Sequence, residues 1–128
     1  MSSKITGGVS IFVDVIYQKE YSDPANNEFV FAYKITIHNA NVFPVRLLRR
    51  KWKITDSNGS IRHVEGDGVV GVQPQIAPGS SYQYVSACHL KSEMGKMQGS
   101  YLLENFITKK TFEVAIPVFS LEAPFKLN

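Results

Sequence analysis

Apolar and polar residues alternate along most of this chain. Residues 9–17, VSIFVDVIY, place Val9, Ile11, Val13, Val15 and Tyr17 on one side, and that period of two predicts a strand. Phe12 and Ile16 sit on the other side, so that face is not purely solvated. Tyr21–Asn27 reads as a turn, with Pro24 fixing φ and the asparagines tolerating tight backbone. Phe29, Phe31, Tyr33, Ile35 and Ile37 then alternate with Val30, Ala32, Lys34, Thr36 and His38, the strongest strand signal in the sequence. Asn39-Ala40-Asn41 and Pro44 break it.

The segment Val45–Thr55, VRLLRRKWKIT, admits a helix because Leu48 and Trp52 are four apart. A strand fits better, since Asp56-Ser57-Asn58-Gly59 follows as a hairpin turn and Ile61–Val64 resumes the alternation. Strict alternation puts Leu48, Trp52 and Ile54 inside and Leu47 outside with the basic residues. Further strands are expected over Tyr82–Leu90, Met97–Ile107 and Thr111–Leu121, with turns at Ser92–Gly95 and Thr108–Lys110. Pro117 suits an edge strand or a strand end. No helix is expected. About seven short strands at regular spacing predict an all-β fold, an antiparallel two-sheet sandwich of the immunoglobulin or fibronectin type III kind. At 128 residues the chain is one domain, with its core over 8–121 and flexible termini, Met1–Gly8 and Glu122–Asn128.

Composition narrows the class. A hydrophobic fraction of 44% belongs to a folded chain that can bury a core without crosslinks. The lone Cys88 has no partner for an internal disulfide, which favours a reducing compartment. The opening residues MSSKITGGVS lack an apolar signal core and no run reaches membrane-span length, so a soluble cytoplasmic protein is expected. A net charge of +3 permits an anionic partner without requiring one.

Longer motifs resemble a known family. Arg46-Leu47-Leu48-Arg49-Arg50-Lys51-Trp52, followed by Ile54-Thr55-Asp56 and Gly59, resembles the LL-x-R-x-W-x-I-x-D-x-x-G of the ApaG family. Gly66-Asp67-Gly68-Val69-Val70-Gly71, Gln73-Pro74, Ile76 and Pro78-Gly79 resemble its G-x-GVVG-x-QP-x-I-x-PG segment, and Ile116-Pro117, Phe119 and Leu121 its closing IP-x-F-x-L. Tyr82, Tyr84 and Ser86, then Leu90, Gly95, Met97, Gly99 and Tyr101, continue the match. Ala87-Cys88 and Ser92-Glu93 depart from the usual pattern. The resemblance implies a fibronectin type III-like sandwich made as a small bacterial protein. Eukaryotic relatives carry the domain in F-box proteins and in a polymerase delta-interacting protein, where it serves protein contacts. Bacterial members are often encoded beside a diadenosine tetraphosphate hydrolase and are linked to cobalt and magnesium tolerance.

The candidate sites follow. Gly66-Asp67-Gly68-Val69-Val70-Gly71 matches G-x-G-x-x-G, the glycine fingerprint that wraps backbone around a pyrophosphate at a helix N-terminus. Pro74 and Pro78 follow too closely for a helix, at a cost of about 3 kcal/mol each inside one. The expected role is an inter-strand loop. A secondary possibility is an anion nest at Gly66, Gly68 and Gly71, aided by Arg62 or His63, for a ligand such as a nucleotide polyphosphate. Arg46, Arg49, Lys51 and Lys53 form a candidate interaction surface on the outer face of a sheet. Nucleic acid is disfavoured there, because Trp52 points inward and no exposed aromatic accompanies the charge. His38, His63 and His89 lack metal-ligand spacing, and with Asp14 and Asp67 they suggest no metal site. Cys88 and His89, as strand neighbours, face opposite ways and form no nucleophile–base pair. The expected protein is a non-catalytic binding module with a protein partner. No cofactor and no membrane contact are expected, and the state is monomer or homodimer.

Overall fold

The computed structural model describes residues 2–124. It consists of nine strands: β1 Ser2–Thr6, β2 Val9–Tyr17, β3 Phe29–Asn39, β4 Val45–Asp56, β5 Ile61–Asp67, β6 Gln75–Ile76, β7 Ser81–Leu90, β8 Met94–Asn105 and β9 Thr111–Glu122. They form two antiparallel sheets, ordered β1-β2-β3-β7 and β5-β4-β8-β9, with β6 pairing β4 beside β5. The architecture is the expected two-sheet sandwich, consistent with an immunoglobulin- or fibronectin type III-like fold. Among the described residues no α-helix occurs, and no helix is long and apolar enough to cross a membrane. The only helical backbone in the element order is two 3₁₀ turns, Lys19–Tyr21 and Pro24–Asn26, inside the expected 21–27 turn region and just before it.

The core lies between the sheets. Val9, Ile11, Phe31, Ile35 and Ile37 from the first sheet meet Leu47, Trp52, Tyr101, Leu103 and Phe119 from the second. Trp52 packs edge-on against Tyr33, Tyr101 and Phe119 at centroid distances of 5.5, 6.4 and 6.0 Å. The Tyr84 and Tyr101 hydroxyls hydrogen-bond across the core from β7 to β8. That pairing satisfies two polar tips that burial would otherwise orphan.

Three expectations need correction. The N-terminus carries a strand outside the expected core: Ser2–Thr6 pairs with β2 from Ser2↔Val13 to Thr6↔Val9. Gly7 and Gly8, both at positive φ, supply the tight Gly-Gly hairpin turn that lets the chain reverse within two residues. At the other end, Ala123 is buried and its N–H bonds the Glu93 carbonyl at 2.9 Å, so the chain is held past Leu121. Met1 and residues 125–128 of the expected tails lie outside the described residues. The third correction concerns the parity of β4. Its pairing with β8 shifts register between Leu47 and Arg49, a β-bulge at Leu48. Val45 and Leu47 therefore face the core before the bulge and Trp52 and Ile54 after it, so Leu47, not Leu48, is the buried leucine.

Candidate functional site

The glycine segment fits onto that bulge. Leu48 O, turned out of the β4–β8 ladder, accepts from the Gly68 N–H at 2.8 Å and the Gln73 side-chain amide at 3.0 Å. The Leu47 N–H donates to Pro74 O at 3.0 Å. Val69 and Val72 exchange backbone hydrogen bonds of 2.8 and 3.1 Å around Val70-Gly71. Both turn residues have positive φ, 47° and 80°, the geometry of a two-residue hairpin turn with left-handed residues at both positions. Val69 is fully buried beneath this turn.

Each glycine of the motif has a backbone reason. A Cβ on Gly68 would lie 2.0 Å from Val72 O, and its φ of +62° is itself left-handed. Gly71 occupies the second turn position with open space around it. Gly66 is covered by the Arg50 guanidinium, whose Nη1 would sit 2.9 Å from an added Cβ. Arg50 Nη1 donates to Asp67 O at 3.1 Å and Gly68 O at 3.0 Å. The N–H groups of Gly68, Val69 and Val72 are thus spent within the chain, while those of Val70 and Gly71 at the turn take no part in that network.

The two bases expected beside the loop do not converge on it. Arg62 and His63 are neighbours on β5 and face opposite ways. Arg62 reaches across to the other sheet, where its Nη2 donates to His89 O at 2.5 Å and lies 3.5 Å from Cys88 Sγ. His63 stands opposite Lys53 on the far face. Their help to a nest at Gly66–Gly71 is therefore withdrawn.

The bulge places Arg46 with Arg49, Lys51 and Lys53 on the outer face of β4, as the candidate surface requires. Two of its four charges are paired with carboxylates. Arg49 pairs with Asp67 at 2.5 Å and Lys51 with Glu65 at 3.7 Å. Arg46 lies over the Phe106 ring at 4.9 Å, and Lys109 lies 3.7 Å from the same ring. Such exposed pairs contribute little to stability, about 0–1 kcal/mol, but they reduce the positive field.

The same bulge sends Arg50 the other way. Arg50, Trp52 and Ile54 face inward, and Arg50 opens into a lateral cleft where β5 and β7, the two sheet edges on this side, pass each other. The cleft encloses about 370 Å³ between Tyr33, Trp52 and Met97 at its floor and Arg50 and Arg62 at its sides. A hollow of about 200 Å³, lined by Arg50, Val69 and Tyr84, continues it toward the glycine turn. Another of about 200 Å³, lined by Arg62, Asp56 and Lys91, continues it toward the opposite end. Sequence reading missed this cleft. Its one signal was an arginine at position 50, in phase with Trp52 and Ile54 on a face that should be apolar.

Cys88 lines the cleft but is 3% exposed. Burial pushes its thiol above the ordinary value, with Arg62 opposing the shift. His89 projects from the other face of β7, and His38 hydrogen-bonds Ser81 through Nδ1 at 2.8 Å. Among the described residues no three His, Cys, Asp or Glu side chains converge as a metal set. Ser92, one of the departures from the family pattern, ties its turn down by donating to Asp56, with Met94 O also within hydrogen-bond reach of its Oγ.

The clasp between the bulge and the glycine loop joins the two longest motifs into one structure. The model of the ApaG domain matches residues 19–105. The chain belongs to the ApaG family. It is 44% identical to Protein ApaG of Agrobacterium fabrum over 124 residues, covering 97% of this chain and 95% of that one. Protein ApaG of Mesorhizobium japonicum is 44% identical with the same coverage. The crystal structure of an ApaA protein from Bordetella pertussis superposes with a TM-score of 0.87 at 38% identity, covering 91% of this chain and 94% of that one.

Proposed function

We propose that this ApaG-family domain is a non-catalytic binding module that engages a protein partner along the open side where β5 and β7 meet. The observation that carries this reading is the set of exposed aliphatic side chains at the mouth of the cleft. Val64 is 37% exposed and Val70 65%, and Val85, on the outer face of edge strand β7 beside the opening, is 58% exposed. Apolar groups gathered around a concave, polar-rimmed opening are characteristic of contact sites. The neighbouring strand β5 is an edge whose residues Ile61–Glu65 are all exposed, and a free edge offers backbone groups to an incoming chain. Binding is favoured over catalysis by the state of Cys88, a buried thiol held protonated, with His89 directed away from it.

A photo-crosslinking residue at Val85 or Val64, compared with one at Val118 on the outer face of the second sheet, tests the proposal in the native cell. A discrete protein adduct at Val64 and Val85, and none at Val118, is the expected result. Adducts at all three positions, or at none, would refute it.

A second reading has one observation in its favour. The amides of Val70 and Gly71 take no part in the loop's hydrogen bonds, and Arg50 lines the same hollow as Val70. A small anion such as a nucleotide polyphosphate there would shift the amide signals of Val70 and Gly71 on titration. Silence at millimolar ligand would end that reading.

A further inference from the structure

The cleft carries charge as well as apolar surface. The ion pairs among the described residues are Arg49–Asp67, Lys51–Glu65 and Lys91–Glu28. Arg50 and Arg62 are in none of them. Their acceptors are neutral backbone carbonyls and a thiol, and no carboxylate lines the hollow they share; Asp56, in the continuation beyond Arg62, already accepts from Lys91 N and Ser92 Oγ. Trp52, in the wall, also has a buried indole N–H with no hydrogen-bond partner. Solvent-facing guanidiniums with no carboxylate partner, set over an aromatic floor, suit a carboxylate ligand, which each planar fork can hold through two N–H groups.

We propose that the cleft receives an extended acidic segment of a partner protein, with its carboxylates held by Arg50 and Arg62. This deepens the binding-module reading above and rests on it. The occupant is an extended chain because the hollow is bounded by two edge strands and opens at the glycine turn and again toward Lys91. The spacing is set by register. Arg62 stands opposite Ile54, four positions along β4 from Arg50, about 13 Å at the rise of a strand. Both side chains reach into the same hollow, which shortens the separation of their charged heads. Acidic residues two or four positions apart lie on one face of an extended peptide and match that spacing. Apolar residues beside them then meet Val64 and Val70.

The test is selection from a displayed library of random short peptides on the full chain, followed by titration of a selected peptide. Selected sequences are expected to carry Asp or Glu two or four positions apart. Changing those acids to their amides should weaken binding about tenfold or more. Arg62→Gln should weaken binding by a similar factor, while Arg62→Lys retains part of it. Arg50→Lys serves as a second variant, because Arg50 also supports the loop. Thermal unfolding of each variant separates loss of binding from loss of fold. Sequences without acidic enrichment, no selectable sequence, or full binding by Arg62→Gln would each overturn the proposal. Inorganic pyrophosphate binding more tightly than the peptides at Arg50 and Arg62 would also overturn it, assigning the cleft to a small anion. A crosslinked partner at Val85 that persists in Arg62→Gln would leave the binding module standing and remove only its acidic ligand.

Discussion

Replacing Gly68 by alanine separates a structural motif from a ligand cradle. Gly68 has a φ of +62°, where an L side chain costs about 1–2 kcal/mol. An added Cβ would also lie 2.0 Å from Val72 O, a backbone atom that cannot swing aside. Relief requires moving the Val69–Val72 hairpin, whose two hydrogen bonds contribute about 1 kcal/mol each. Moving it also exposes the fully buried Val69, a further loss of about 1.5–3 kcal/mol if complete. With partial relaxation, Gly68→Ala should destabilise by about 3 kcal/mol or more. Gly71→Ala has open space around it and should cost only the left-handed penalty, about 1–2 kcal/mol. Gly66→Ala displaces the end of a flexible arginine and should cost about 1 kcal/mol. Urea unfolding at constant m-value measures all three. Equal effects at the three glycines, or a Gly68→Ala protein within about 0.5 kcal/mol of wild type, would refute the clasp and return the glycines to a ligand.

Three further outcomes are expected. Val70 is a β-branched residue at φ 47° and mostly exposed, so Val70→Asn, which gives an Asn-Gly turn, should stabilise by about 1 kcal/mol in the same unfolding assay. Asp56 is buried and accepts from Lys91 N at 2.7 Å and from Ser92 Oγ; Asp56→Ala should cost about 2–3 kcal/mol, and Asp56→Asn less. Tyr33, Tyr84, Tyr101 and Cys88 all have pKa values raised first of all by burial. The unfolded chain releases those protons near 9.0 and 10.0, and the folded chain holds them longer. Stability should therefore be level below the ordinary values and fall as pH rises through 9.0 and 10.0 and beyond, with a shallower fall in Tyr101→Phe.

The strands that alternate cleanly were legible because a half-buried face imposes a period of two. Phe29–Ile37 is the clearest case, and every odd residue there is buried. Strand β1 escaped notice because Ser2, Ser3 and Lys4 carry no apolar pattern and pair through backbone alone. Strand β6 was hidden by its length of two residues. The β4 faces were misassigned for a different reason. A bulge adds one residue, and in a period of two one residue exchanges every face. Leu47-Leu48 offers no local sign of which leucine is the extra one. The cleft was out of reach because it exists only where β5 and β7, from opposite sheets, come together. Arg62 and Cys88 are 26 positions apart in the chain.

The bulge, the glycine turn and the cleft form one device centred on Arg50. Leu48 O anchors the loop from below, and Arg50 Nη1 anchors Asp67 O and Gly68 O from the side. Gly66 must lack a side chain so that the guanidinium can lie flat against it. A long cationic side chain is thereby held in one orientation, with its charge toward the cleft and no carboxylate to quench it. The absence of ordering cost at binding is what such support supplies. The glycine motif is then neither an idle loop nor a phosphate cradle of the Rossmann kind. It is the mount that fixes Arg50, and under the proposed function it bears through Arg50 on what the cleft would receive.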